Sequence, residues 1–582
     1  MTLDPVRLTL VQNRLDHIAR QMGWVMMRTA RSPLFSQAHD FSCFITDADG
    51  WILSQADGLP IHTGGGGLAA RALLAAFAGR IADGDAYVLN DPYAAGGNHL
   101  PDWVIARPVF AHGRLVAFCC NRGHQSDIGG GAPGGYNSAA TDIFQEGLRL
   151  PPVKLVDKGE LRDDVWNLLL LNSRAPNLMD GDLRAMLGST RIGGEAVAAL
   201  ARELGSNEQP AYFAGILDLG ERRMRAELAA LPDGTWRGED GTDTDCFEDR
   251  PYRMRVAVTI AGEAMTVDFT GTDAQMKGFK NSSIANTWSA VYMAVIAFLG
   301  PDLPGNEGTY RPITIVAPEG TLVNPRPPAP MTMNTIAPAT EIIHAIWQAL
   351  GQADPTRSCA GWGKNSAPTM SGRQADGAPF VMYHWAGAAG AGAVEGRDGF
   401  NGSGGLVGLG ALYLPDVELS EQSYPVRYLR QAMRCDGGGA GRFRGGTGLD
   451  YAVEVAVPSV VSLRGEGLRT PSGYGVDGGG TGKEAVMRID FDDGDGDGFA
   501  PPKYGVLPAR PMTLALAGAG GGGWGDPLAR DPDLVVRDLR DGAIGAAAAR
   551  DVYGVVAAAD GRTADLAATA LRRAALAAAR GG

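Results

Sequence analysis

The stretch from Leu89 to Gly130 constrains this chain more than any other. It opens as Leu-Asn-Asp-Pro-Tyr-Ala-Ala-Gly-Gly-Asn-His-Leu-Pro-Asp, runs through an apolar hairpin and closes on Asn-Arg-Gly-His-Gln-Ser-Asp-Ile-Gly-Gly. Pro101 fixes its own φ and pushes Leu100 towards an extended conformation, so His99 and Asp102 sit on a turn and not inside a helix. Trp103 to Phe110 reads as a strand, Ala111-His112-Gly113-Arg114 as a reversal and Leu115 to Cys120 as the returning strand. A hairpin brings its two ends together, so His124 is expected beside Asp102, 22 residues earlier in the chain. Two imidazoles and a carboxylate converging there, on a backbone thinned by Gly96, Gly97 and Gly123, form a candidate divalent-metal site. The chain has eight histidines (17, 39, 62, 99, 112, 124, 344 and 384), and an isolated histidine is more often a core or surface residue than a ligand. The hairpin geometry, more than the His-x-x-Asp pair, favours ligation.

At 582 residues the chain is long enough for two to four packed units, at roughly 150 residues each. Its 83 glycines are about twice the usual ~7%. They lack a collagen period and cluster in short runs (64–67, 129–131, 437–439, 478–480, 520–523), which points to tight turns and close backbone approaches. With 52 basic and 65 acidic residues the net charge is −13, and no basic stripe is present, so no nucleic-acid partner is expected. Six cysteines (43, 119, 120, 246, 359, 435) show no CxxC spacing, which fits a reduced, cytoplasmic setting. The N-terminus carries Asp4 and lacks a signal-type apolar core. The most apolar run, Trp288 to Leu299, is too short to span a bilayer and reads as a buried helix, so no membrane role is expected.

In chain order, Asp4-Pro5 is a helix start, and Val11, Leu15, Ile18, Met22 and Met26 repeat at helical steps up to about Thr29. Phe41–Thr46 and Trp51–Ser54 form a hairpin, with His39 and Asp40 just before its first strand, where a side chain can be aimed into a site. His62-Thr63-Gly64-Gly65-Gly66-Gly67 precedes an Ala-rich helix from about Leu68 to Arg80, and its amides could hold an anion or simply start a helix. No GxxxxGK[ST] loop is present. Ala139 to Lys154, with mixed charges beside Gly and Pro, reads equally as a site-lining loop or a solvated connector. The period falls to two over 252–260 and 264–269, returns to helical at 284–299 and 335–351, and gives way to ordered Gly/Ala loops over 385–411. Short Gly-rich strands are expected from about 425 to 517, and a closing helix from about Ala564. The fold class is therefore α+β (mixed α/β) and multi-domain. The expected parts are an N-terminal α/β domain with the metal site (1–232), a central hairpin and helix domain (233–424) and a Gly-rich β domain with the C-terminal helix (425–582).

Read together, Arg31–Phe41, His62–Gly65, Leu89–Asp102, Asn121–Gly130, Ile143–Lys154, Asp268–Thr272, Arg311–Pro328, Pro425–Arg430, Asp436–Gly446 and Gly520–Pro527 resemble the hydantoinase B family over essentially the whole chain. That family includes the B half of ATP-dependent oxoprolinase, N-methylhydantoin amidohydrolase, caprolactamase and the alpha subunit of acetone carboxylase. The resemblance implies that His99, Asp102 and His124 ligate a Mn, Zn or Fe ion, with Asp40 as a further carboxylate ligand. It also implies a hydantoinase A-type partner with an actin-like ATPase fold, which binds ATP with Mg, in a heterotetramer or larger complex. The implied reaction is hydrolysis of a small cyclic amide (hydantoin, oxoproline or lactam), its ring activated by phosphate and opened by metal-bound water. Asp127 is then a candidate for orienting an imidazole, and His39 and His62 for acid/base work or phosphate contact. An alpha-type subunit of an ATP-dependent ketone carboxylase, or a scaffold with a structural metal, are the rival readings. The acetone carboxylase chain is longer, which favours the hydrolase branch.

Overall fold

The computed structural model describes residues 3–385, 387–493 and 504–581. The chain is mixed α/β and forms two compact units. The first comprises 1–353 with the short stretches 379–382 and 411–415, and the second comprises 354–378, 383–410 and 416–582. Residues 233–353, grouped from the sequence with 354–424, here pack with 1–232.

The first unit begins with α1 (Pro5–Thr29). Asp4 caps it by accepting the Val6 N–H at 3.0 Å, Pro5 fills the first turn, and Leu8, Val11, Leu15, Ile18, Met22 and Met26 form its buried stripe. A single-turn α2 (Pro33–Ser36) leads into β1 (Phe41–Asp47) and β2 (Ile52–Gly58). The short α3 (Pro60–Thr63) and α4 (Gly66–Ala76) follow, then β3 (Ala86–Leu89), β4 (Asp102–Ala111) and β5 (Arg114–His124). With β6 (Val153–Asp157) and β7 (Glu160–Leu161) these strands make an antiparallel seven-stranded sheet of order β2-β1-β5-β4-β3-β6-β7. The helices α5 (Asp163–Leu171), α6 (Pro176–Leu204) and α7 (Glu208–Ala229) come next, and α1 and α6 pack against the sheet.

A second, four-stranded sheet joins β8 (Gly234–Thr242), β9 (Tyr252–Ala261), β10 (Ala264–Asp268) and β11 (Ile313–Val316). In β9, Tyr252, Met254, Val256, Val258 and Ile260 alternate inward, as the two-residue period requires. The helix α8 (Ile284–Leu299) is buried along most of its length, and α9 (Ala339–Ala353) packs on α8 and on β8 and β9. The glycine run at 64–67 serves this packing: a Cβ on Gly65 would lie 2.6 Å from the Ala285 carbonyl oxygen, and the Gly65 N–H donates to Ser289 Oγ at 2.8 Å. That amide is thus committed to α8 and not offered to an anion. Among the described residues, no helix is long and apolar enough to cross a membrane.

In the second unit the long strand Leu449–Leu463 pairs with Thr369–Arg373, Val426–Met433 and Gly505–Ala517, and the last of these pairs with Val486–Phe491. The glycine-rich stretches between them depart from the expected strands. They are extended segments laid directly against one another, backbone to backbone. The Gly520–Gly523 run shows the pattern: Gly521 donates to the Gly446 carbonyl, Gly522 to Gly361 and Gly523 to Gly480. A Cβ on Gly521 would lie 2.0 Å from the Ala391 carbonyl oxygen. The unit closes with helices at Pro532–Arg540, Ala546–Asp551 and Leu566–Gly581, the last where the sequence places it.

Candidate metal centre

The hairpin of β4 and β5 does what its sequence requires. Asp102 is the first residue of β4 and His124 the last of β5, and the two are direct partners across the ladder. The turn before β4 is closed by the Asp102 N–H donating to the His99 carbonyl and by the Gln125 N–H donating to the Pro101 carbonyl. Asn90 pins the same turn by donating to the Leu100 and Leu148 carbonyls, and it accepts the Leu150 N–H. His124 Nδ1 lies 3.0 Å and His99 Nε2 2.8 Å from the same Asp102 oxygen, Oδ1. One ligand atom from each of His99, Asp102 and His124 falls within 4.8 Å of the others, and all three residues are buried.

Two further residues, His62 and Asp40, lie beside this group of three and not within it. His62, on α3, places Nε2 3.3 Å from Asp102 Oδ2 and 3.7 Å from Asp40 Oδ1. The His39 backbone is left-handed (φ 58), and the His124 N–H donates to the Asp40 carbonyl, which ties the Asp40 backbone to the end of β5. Asp102 Oδ2 and His62 Nδ1 are buried and make no hydrogen bond. An unsatisfied carboxylate oxygen facing imidazole nitrogens, inside a closed site, is the donor set that suits a borderline divalent cation.

Electrostatics follow from burial and mutual proximity. Burial works against an ionised Asp102, but His99 and His62 beside it and its imidazole hydrogen bonds hold it well below the usual carboxylate range. Burial lowers the His62 pKa despite the pull of Asp102 and Asp40, so the ring is neutral. For His99 burial is outweighed by Asp102 and by the hydrogen bond to the Thr332 carbonyl, and its pKa rises.

Several residues that serve the site carry no local signature in the sequence. Arg122, wholly buried on β5, donates to the His62 carbonyl at 2.7 Å, to Asn98 Oδ1 at 2.6 Å and to the Gly96 carbonyl at 3.2 Å, which joins three segments of the site. Burial brings this guanidinium down to about 10. The Tyr136 ring stacks on His124 at 5.8 Å and meets His99 edge-on at 6.1 Å. Glu146, within the Ile143–Lys154 stretch, is also wholly buried. Arg122 stands one residue from Gly123 in a motif already singled out, and Glu146 was one of two carboxylates, with Asp142, in a loop read two ways; neither shows its partner in the sequence.

Two expected site residues lie elsewhere. Asp127 accepts the N–H groups of Gly129, Gly134 and Arg174 and pairs with the Arg174 guanidinium at 3.0 Å. No hydrogen bond joins it to an imidazole among the described residues, because the loop it anchors claims both its oxygens. His39 turns to the Tyr413 ring at 4.7 Å and lines a cavity of about 600 Å³ with Arg20, Trp24, Phe41 and Gln55. The Ile143–Lys154 stretch does line a cavity, of about 540 Å³, where Arg149 pairs with Asp91 at 2.6 Å and covers the Phe144 ring.

Comparison with known proteins places this arrangement in a family. The chain is 35% identical to the caprolactamase subunit beta of Pseudomonas jessenii, over 99% of this chain and 100% of that one. The crystal structure of the ATP-dependent caprolactamase from the same organism superposes with a TM-score of 0.90 at 34% identity, covering 99% of this chain and 100% of that one. The 5-oxoprolinase of Dictyostelium discoideum is 27% identical over 90% of this chain, which spans 40% of that longer protein. Residues 4–527 match the hydantoinase B/oxoprolinase family, and the chain belongs to it.

Proposed function

We propose that this chain is the metal-containing subunit of an ATP-dependent cyclic amide hydrolase, acting with an A-type ATPase subunit that activates the ring carbonyl by phosphate transfer. The observation that carries the reading is the closed cluster of His62, His99 and His124 around Asp102, with Asp102 Oδ2 left without a hydrogen bond. The full-length likeness to a caprolactamase beta subunit supports the amide chemistry and the need for a partner.

In this reading His99, Asp102, His124 and Asp40 hold one divalent ion. When bound, such an ion supplies Lewis acidity and lowers the pKa of water towards neutrality. The chain's own residues then do the rest. Asp102 stays ionised and holds the rings of His99, His124 and His62 around one carboxylate. His62, neutral through burial, can take a proton at Nε2 as water attacks the activated carbon. Arg122 fixes the His62 backbone and the 96–98 turn, so neither can drift as charge develops. The proton taken by His62 passes to the ring nitrogen as the C–N bond breaks, which leaves an acyl phosphate carrying oxygen from water, and a second water then releases inorganic phosphate and the free carboxylate.

The test is co-expression with an A-type subunit and a screen of hydantoins, oxoproline and lactams with and without ATP. Turnover is expected only with both partner and ATP present. Ring opening by the isolated chain without ATP overturns the division of labour.

A further inference from the structure

We infer that Glu146 is a positioning residue for the metal centre: it pins Met331 and Thr332 so that the Thr332 carbonyl fixes the His99 ring, with Nε2 turned to the cation position. This rests on the metal reading above.

The chain of contacts is short and wholly buried. Both Glu146 carboxylate oxygens accept the Met331 N–H at 2.9 Å, and Oε1 also accepts the Thr332 N–H at 2.7 Å. The carbonyl of that same Thr332 lies 2.6 Å from His99 Nδ1. The imidazole can make that bond as a donor only with its proton on Nδ1. Nε2, 2.8 Å from Asp102 Oδ1, is then the nitrogen that would offer its lone pair to a cation in place of that hydrogen bond. The segment is held at other points by neutral groups: Asn281 donates to the Pro330 carbonyl, and Asn334 donates to the Asn98 carbonyl, one residue before His99. Glu146 adds the charged pin.

A carboxylate is an expensive way to hold two amides. Glu146 is 0% exposed, and among the described residues no ion pair includes it. Burial pushes its carboxyl up to about 7, against the pull of the Met331 and Thr332 amides. A glutamine of the same length would offer one acceptor oxygen and would turn its NH2 towards amide donors. What the carboxylate adds, once ionised above about pH 7, is two acceptor oxygens in a fixed fork, and negative charge on the side of His99 remote from Asp102. Groups that orient a ligating histidine through its other nitrogen are the usual outer layer of a metal site. Here that layer runs through one backbone carbonyl to a buried acid 47 residues beyond His99.

The experiment titrates the full chain with Zn²⁺ against a competing chelator and records the visible spectrum of its Co²⁺ form. Glu146→Gln is expected to weaken Zn²⁺ binding about 10- to 100-fold and to change the Co²⁺ band intensities. Leu228→Ala, in the buried face of α7, lowers stability without touching the site and should leave both readouts unchanged. Equal affinity and a superimposable spectrum in Glu146→Gln overturn the inference, and so does an equal loss in Leu228→Ala. If Glu146→Gln does not fold, Glu146→Asp keeps the charge and withdraws it by one methylene. Weakened binding in that variant supports the role, and wild-type binding overturns it. Failure of the wild-type chain to bind Zn²⁺ or Co²⁺ is a different result, because it removes the metal reading itself.

Discussion

Asp102 holds three imidazoles with two oxygens, and only Oδ1 makes hydrogen bonds with them. Removing its charge should therefore act on the cation more than on the fold. Purified protein is expected to carry about one divalent ion per chain. Asp102→Asn, His99→Ala and His124→Ala should each strip it on dialysis, since loss of one ligand from three or four weakens binding severely. Elemental analysis beside a circular dichroism check reads this directly, and full occupancy in all three variants removes the assignment. These three residues were legible because the distance between them is set locally: Pro101 makes the turn, and the hairpin register returns His124 to Asp102. Asp40 and His62 were, by position, only polar residues before a strand and a helix, and it was the family resemblance that named them as candidates. Arg122, Tyr136 and Glu146 were not legible at all as site residues, because what they touch lies on other segments and no spacing encodes it. Asp127 misled for the same reason: its nearness in sequence to His124 says nothing of Arg174, which claims it.

Elements whose period is carried by side chains were readable to within a few residues, as α1, β9 and α9 show. The glycine-rich segments were not, because a core built from backbone against backbone has no hydrophobic period to read. Their count was the only clue, and it pointed to close approach without saying to what. The two kinds of glycine should respond oppositely to a methyl group. Gly521→Ala would set Cβ on the Ala391 carbonyl and is expected to cost about 3 kcal/mol, the upper part of the range for an overpacked core. Gly188, inside α6, has nothing within 4 Å of an added Cβ, so Gly188→Ala should stabilise by about 0.5–1 kcal/mol through backbone entropy. Urea titrations of the two variants beside the wild type decide the matter. A Gly521→Ala midpoint equal to wild type would mean that this run relaxes freely and is no strut.

On the scale of the whole molecule, the family was legible from motifs scattered along the chain, whereas the reaction within the family was not. A site that polarises water and one that polarises a carbon nucleophile can share a cation and a partner that consumes ATP. What separates them is the atom that ends up bonded to the activated carbon. In the hydrolytic reading proposed above, the buried His62, 3.3 Å from Asp102 and 3.7 Å from Asp40, takes a proton from water. A carboxylation needs no such proton acceptor at the cation if the enolate is already formed as its phosphate. The complex with its ATPase partner should therefore place ¹⁸O from labelled water in the new carboxylate and leave ¹³C from labelled bicarbonate in solution, both read by mass spectrometry of the product. His62→Ala should lower the rate of ring opening about 10²- to 10⁴-fold, the usual contribution of a general base, while the cation stays bound. Carbon label in the product would move this chain to the carboxylases. An unchanged rate in metal-loaded His62→Ala would keep the hydrolysis but assign the proton to another acceptor.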